Sequence, residues 1–293
     1  KSGACQPKSQ SGVVRLTMGK LAFCQGMAER PRFSGTGPQA PWMHGNGRRK
    51  GARAYNSTMT DPRFFCSPEA LSLSPGASVD LPEGPARHAA RVLRLQAGDG
   101  LILFDGRGGE YGACIEAVAK DRVRVRLGEH QPRECESPLA LTLIQALQGG
   151  DKMDFTLQKA VELGVSRFQP VSSRRSVVRL DGERAAKRLE HWRGVAVSAC
   201  EQCGRNRLPE VAPLLPLERA LGQAESASRR LVLLPGAAVS LAAMAPPDGP
   251  VSLLVGAEGG LAPEEAEAAV AAGFTPVSLG PRVLRTETAG LAA

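Results

Sequence analysis

Aromatic residues are scarce, only 4% of the 293, which argues against a protein that reads nucleic acid by stacking many bases. Long apolar runs are missing as well. No stretch approaches the roughly 18–20 uninterrupted apolar residues of a membrane helix, so a helical membrane-spanning protein is excluded. Cysteine is sparse and odd in number, with Cys5, Cys24, Cys66, Cys114, Cys135, Cys200 and Cys203 forming no dense framework. This usage reads as a reduced, cytoplasmic protein. Only Cys200 and Cys203 have metal or redox spacing. A structural zinc site takes four ligands, and no second pair or histidine cluster accompanies them, so helix-packing thiols and no metal are expected.

A strong basic excess is also lacking once the chain is divided. The formal net charge is +8, yet residues 1–58 hold ten Lys or Arg against Glu29 alone, a net of +9, and the remaining residues sum to −1. The basic segment has no sustained periodicity and is rich in Gly, Pro, Ser and Arg, which predicts disorder, with Met59 expected to begin the conventional domain. An apolar fraction of 42% supports a sizeable core, and Gly 33 with Pro 22 points to many tight connections.

Two textures follow. From residue 61 to about 136 short strands alternate with turns: 77–81, 101–106, 110–119 and 122–127, with one helix over 85–95. Strands this short suit a small β-barrel with a helical insert. Arg122, Arg124 and Arg126 alternate with Val123, Val125 and Leu127, so three cations share an outer face that is either solvated or phosphate-contacting. After Pro138 strands alternate with helices. Strands are predicted over 139–147, 168–171, 230–234, 251–255 and 276–279; helices over 152–163, 183–202, 263–272 and from about Thr286. A parallel sheet flanked by helices is implied, with chemistry expected in loops beyond strand carboxyl ends, after Val255 and Leu279.

The first of those loops contains Gly256, Gly259 and Gly260, which permit a tight turn and close backbone approach. It lacks both established phosphate-loop spacings, and the following helix opens with Pro263, Glu264 and Glu265, whose carboxylates already occupy the positive end of the dipole. A ligand with neutral or cationic parts fits better than a phosphate, and a plain tight turn stays open. The second loop, Leu279-Gly-Pro-Arg-Val-Leu-Arg-Thr-Glu-Thr288, places an apolar pair between Arg282 and Arg285. Thr286 can cap the helix and Glu287 complements its dipole.

Gly256-Ala-Glu-Gly-Gly260, the 279–288 motif and the upstream Ala199-Cys-Glu-Gln-Cys-Gly-Arg-Asn206 together resemble the ribosomal RNA small subunit methyltransferase E family, over about 61–293. The barrel segment Arg87-His-Ala-Ala-Arg-Val-Leu-Arg94 and the stretch 152–164 share the likeness. The resemblance implies a PUA-like β-barrel over 59–136 that helps hold RNA and a SPOUT-type, trefoil-knotted α/β domain over 137–293. It further implies a homodimer, S-adenosyl-L-methionine as cofactor, and methylation of N3 of a uridine in 16S rRNA of the small ribosomal subunit. A noncatalytic RNA-binding assembly factor is the alternative of a different class.

Matched onto this chain, the cofactor residues are Leu254, Gly256, Glu258, Gly259, Gly260, Leu279, Gly280, Val283, Leu284, Arg285 and Thr286. Catalytic expectations fall on Glu201, Arg205 and Arg285. Glu201 is a proton acceptor or else a helical ion-pair partner of Arg205, and Glu287 is the alternative acceptor. RNA contacts are expected from Arg122, Arg124, Arg126, Arg175, Arg205 and Asn206, aided by a net charge of +6 between residues 167 and 207. Three departures stand out. Ala257 replaces a proline, Ser173-Arg174-Arg175-Ser176 replaces a Glu-Arg segment, and the sequence stops at Ala293 where family members continue with a helix, which is expected to weaken folding, dimerisation or cofactor binding.

Overall fold

The computed structural model describes residues 61–120 and 122–293. The expectations for residues 1–58 and for Met59 as a start lie outside them. The first sheet contains β1 (Arg63–Phe65), β2 (Ser78–Asp80), β3 (Gly100–Phe104), β4 (Glu110–Ala119) and β5 (Arg122–Gln131), in the order β1-β3-β4-β5-β2. Only the β1–β3 pairing is parallel. Alternation on β5 sends Val123, Val125 and Leu127 into a core with Phe64, Leu101, Leu103 and Ile115, and leaves Arg122, Arg124 and Arg126 exposed. The face predicted from period two is therefore the observed one.

The single helix expected over 85–95 is instead α1 (Glu83–Arg87) followed by a π-helical turn, His88–Val92. The Leu93 amide donates to the His88 carbonyl five residues back, and Arg94, at φ 55°, ends the run. This widened turn lets Ala86 and Ala89 both bury against the sheet.

The second sheet is parallel throughout. In chain order its elements are β6 (Leu141–Ala146), α2 (Lys152–Glu162), β7 (Arg167–Ser172), α3 (Gly182–Cys203), β8 (Glu210–Val211), β9 (Leu215–Pro216) and α4 (Leu217–Gln223). They are followed by β10 (Arg229–Leu233), β11 (Val239–Ser240), β12 (Val251–Val255), α5 (Pro263–Ala271), β13 (Thr275–Ser278) and α6 (Thr286–Ala292). The strand order is β11-β13-β10-β12-β6-β7-β8, with β9 also paired to β7.

All five residues of β12 are buried, because helices cover both faces of the sheet. Leu253 joins Met153, Leu157, Phe168 and Trp192 on the face of α2, α3 and α6. Its neighbour Leu254 joins Leu221, Ala269 and Phe274 on the face of α4 and α5. Gly204, at φ 87°, ends α3 with its amide on the Cys200 carbonyl, a left-handed cap that glycine adopts without strain. Cys200 is a packing thiol within the core, its pKa pushed up to about 12 by burial.

Candidate active site

The carboxyl ends of β10, β12 and β13 frame a cavity of about 580 Å³. Three loops line it: 233–235 after β10, 256–261 after β12 and 279–287 after β13. The last two are those nominated from the sequence. The first was missed, although β10 was predicted, and its position as a parallel neighbour of β12 and β13 is the signal that would have found it.

Glycine is required at position 256. A Cβ there would meet the Gly260 carbonyl carbon at 2.8 Å and the Leu261 amide nitrogen at 2.9 Å. Gly260, at φ 70°, donates to the Ala257 carbonyl, closing the turn. Ala257 itself is buried against the α5 side.

A buried clasp joins this loop to the next. Thr286 Oγ1 donates to the Gly256 carbonyl oxygen at 2.5 Å and accepts from Gln145 Nε2 at 3.1 Å and Gln148 Nε2 at 3.2 Å. Thr156 Oγ1 holds the far side of Gln148 at 2.9 Å. Thr286 therefore binds segments 30 and 141 residues away rather than capping its own helix.

Glu258 lies in the cavity wall and accepts from the Gly149 amide at 2.9 Å and Lys152 Nζ at 3.3 Å. Burial opposes its ionisation, but the Gly149 and Glu258 amides and Lys152 outweigh that, holding the carboxyl below the ordinary glutamate range. The cavity thus contains a fixed negative charge among backbone groups and the apolar side chains of Leu233, Val277, Leu279 and Leu284.

Arg282 and Arg285 line the cavity from exposed positions and form no ion pair with a described residue. Val283, between them, is 78% exposed. Arg175 joins them, donating to the Gly259 carbonyl at 3.0 Å. Glu287 is also in the wall, and its Oε2 is buried without a hydrogen-bond partner. Of the eleven residues matched to the cofactor, ten line this one cavity. Leu254 is the exception and a correction: it lies in the core on the α5 side.

Glu201, Arg205 and Asn206 are corrections of a larger kind. None lines the cavity. Arg205 is 3% exposed; Nε and Nη2 grip Glu136 at 3.0 and 2.6 Å, while Nη1 donates to the Val161 and Val165 carbonyls. Asn206 is fully buried and bonded to Arg63, Glu110 and the Arg133 carbonyl. Glu201 accepts from the Phe65 amide at 2.9 Å and forms no pair with Arg205. Its pKa is raised by burial, against the Phe65 hydrogen bond. Arg205 and Asn206, buried and engaged, cannot reach RNA without breaking the seam between the two sheets.

The basic segment 167–207 is also quieter than its count suggests. Arg167 pairs with Glu210, Arg174 with Glu264, Arg188 with Asp154, Arg205 with Glu136 and Arg207 with Glu134. Those acids lie outside the segment, so much of its positive charge is neutralised in the fold. Arg174 pairs with Glu264 in the first turn of α5, while its amide donates to Glu265. On the barrel, Arg124 pairs with Asp80 and Arg126 lies 3.8 Å from Glu116. No group of three metal-binding side chains occurs among the described residues, and no described helix is long and apolar enough to cross a membrane.

Comparison with known proteins agrees with this geometry. An RNA methyltransferase domain model matches residues 135–293, and an RNA methyltransferase PUA domain model matches 81–128. A ribosomal RNA small subunit methyltransferase E from Neisseria gonorrhoeae, solved bound to S-adenosyl methionine, is 45% identical with a TM-score of 0.75, covering 80% of this chain and 95% of its own. A methyltransferase from Legionella pneumophila, also solved with that cofactor, is 36% identical with a TM-score of 0.74 over the same shares. The Buchnera aphidicola (Schizaphis graminum) methyltransferase E is 32% identical over 218 residues, 73% of this chain and 87% of that protein. With an α/β sheet that brings its two motif loops into one cavity, and with relatives matched over most of their length, this chain belongs to the ribosomal RNA small subunit methyltransferase E family.

Proposed function

We propose that this protein transfers a methyl group from S-adenosyl-L-methionine to N3 of a uridine in 16S rRNA, acting in the cytoplasm as a homodimer. One observation carries the reading: loops 256–261 and 279–287 close on a single cavity. Its volume lies within the range of about 300–1,000 Å³ usual for small-ligand sites. Its glycine-lined backbone admits close approach, its apolar wall suits an adenosine, and the ionised Glu258 favours a cationic ligand. When bound, the cofactor supplies an electrophilic sulfonium methyl.

The remaining chemistry falls to side chains. Uracil N3 carries a proton at neutral pH, so a base must be oriented, its developing imide charge stabilised and its proton received. Arg285 and Arg282 are cations at the cavity that form no ion pair with a described residue, suited to uracil oxygens or phosphate. Glu287, with a free carboxylate oxygen in the wall, replaces Glu201 as the proposed proton acceptor. Arg175 and the outer barrel face of Arg122, Arg124 and Arg126 are the proposed phosphate contacts. Support for a dimer comes from Val283, an apolar side chain 78% exposed in the cavity wall. The trefoil crossing belongs to the same reading, supported by the clasp of one motif loop over the other.

Calorimetry with S-adenosyl-L-methionine and mass mapping of 16S rRNA test the proposal together. Micromolar binding, and one N3-methylated uridine that disappears in cells lacking the protein, are expected. Absence of cofactor binding would favour an assembly factor, and a methyl on another atom would overturn the N3 assignment.

A further inference from the structure

The densest buried charge outside the cavity lies where β1 and β4 of the first sheet meet the chain after α3. Arg63 Nη1 donates to Glu110 Oε2 at 2.7 Å, with side chains 10% and 5% exposed. Asn206 joins both: its Oδ1 accepts from Arg63, and its Nδ2 donates to Glu110 at 3.2 Å and to the Arg133 carbonyl at 2.7 Å. Next to it, Arg205 ties the connecting segment, through Glu136, to the Val161 carbonyl of α2 and the Val165 carbonyl just beyond it. A backbone link from Leu208 to the Gly106 carbonyl, a bridge between Arg107 and Arg207, and the Phe65 to Glu201 hydrogen bond complete the seam.

Stability alone does not call for this chemistry. Burying ions and an amide costs desolvation, and apolar residues of similar size often do as well or better. A hydrogen-bonded network differs from an apolar seam in having one satisfied geometry, because a slip or rotation strands charges away from water. Arg63 and Glu110 sit on the sheet whose outer face carries Arg122, Arg124 and Arg126, whereas Arg205 and Asn206 follow the helix packed on the cavity-bearing sheet.

We propose that Arg63, Glu110, Asn206 and the Arg205–Glu136 pair are positioning residues: they lock the barrel at one orientation to the cavity, so that RNA held on the barrel presents its uridine in register. This rests on the function proposed above. A folded RNA engaging both surfaces gains from their fixed spacing as a linked bivalent ligand does, and that gain is lost when the spacing is variable.

Asn206→Leu and the double variant Arg205→Met with Glu136→Leu test the idea; the double variant replaces both partners with apolar groups and keeps the test open if the first does not fold. Both are measured for S-adenosyl-L-methionine affinity by calorimetry and for methyl transfer to purified small ribosomal subunits lacking the modification. Expected are cofactor affinity within twofold of the unaltered protein, kcat little changed, and KM for the particle raised by about tenfold or more. A merely structural role would reduce the active fraction, lowering kcat with KM unchanged, and that result overturns the proposal, as does loss of cofactor binding in the folded variants. If the unaltered protein fails to methylate the particles, the enzymatic reading falls and this proposal with it.

Discussion

Two sets of arginines, similar in sequence, have opposite fates. Arg282 and Arg285 stand exposed at the cavity, ion-paired with no described residue, while Arg63 and Arg205 are sunk in the seam and paired with Glu110 and Glu136. Arg282, Arg285 and Arg205 lie in motifs that resemble the family, whereas Arg63 lies in none. The difference lies in their partners. Glu136 is 69 residues from Arg205, and Asn206 is 143 from Arg63. A cation near a motif becomes functional when the fold leaves it without an answering charge.

Four measurements break or sharpen that contrast, from the largest expected effect to the smallest. Arg205→Met strands the Glu136 carboxylate and the Val161 and Val165 carbonyls, so chemical denaturation is expected to show a loss of about 3–5 kcal/mol. Full stability in that variant would erase the distinction between the two sets. Arg285→Ala should do the reverse: an unchanged melting temperature with methyl transfer reduced by at least about 100-fold, the usual cost of losing a preorganised charge at a reacting group. Unchanged turnover would remove Arg285 from the site.

Glu201 offers a finer probe through pH. Its folded pKa is raised by burial, beside the Phe65 amide, His88 and Arg63. For an acid this sign means that the folded state holds its proton longer, so stability falls as pH rises from the ordinary glutamate range through the folded value. Glu201→Gln keeps an acceptor for Phe65 and removes the titration. Its melting temperature should exceed that of the unaltered protein by roughly 2 °C at neutral pH and converge with it in acid. An equal gap at all pH values would show that the carboxylate does not titrate there.

Arg124→Gln is the mildest. Its pair with Asp80 is exposed, so stability should not move. RNA affinity should weaken at low salt, and the slope of log affinity against log salt should shrink by about one if Arg124 meets a phosphate. An unchanged slope would leave it as a solvated pair.

Local periodicity made much of the fold legible. Helices α2, α3 and α5 begin and end within a residue of their predicted spans because apolar spacing and glycine stops mark them, and the two motif loops were placed correctly at strand ends. What escaped was short or distant. β1, with three residues, is too brief for any pattern, yet it anchors the seam. The turn at 233–235 carries no motif and enters the cavity only because β10 lies between β12 and β13. Asn206 reads as a polar residue at a helix end, and nothing in its neighbourhood reveals the carboxylate and guanidinium that surround it. For Leu254 the alternation of a doubly covered strand decided the matter, turning it to the α5 side.

The hydroxyl that clasps the two motif loops is a single atom meeting three separated parts of the chain, the Gly256 carbonyl, Gln145 and Gln148. Replacing it by a methyl, as in Thr286→Val, removes the acceptor those two amides share and frees the Gly256 carbonyl at once, so the shape of the chamber hangs on one oxygen.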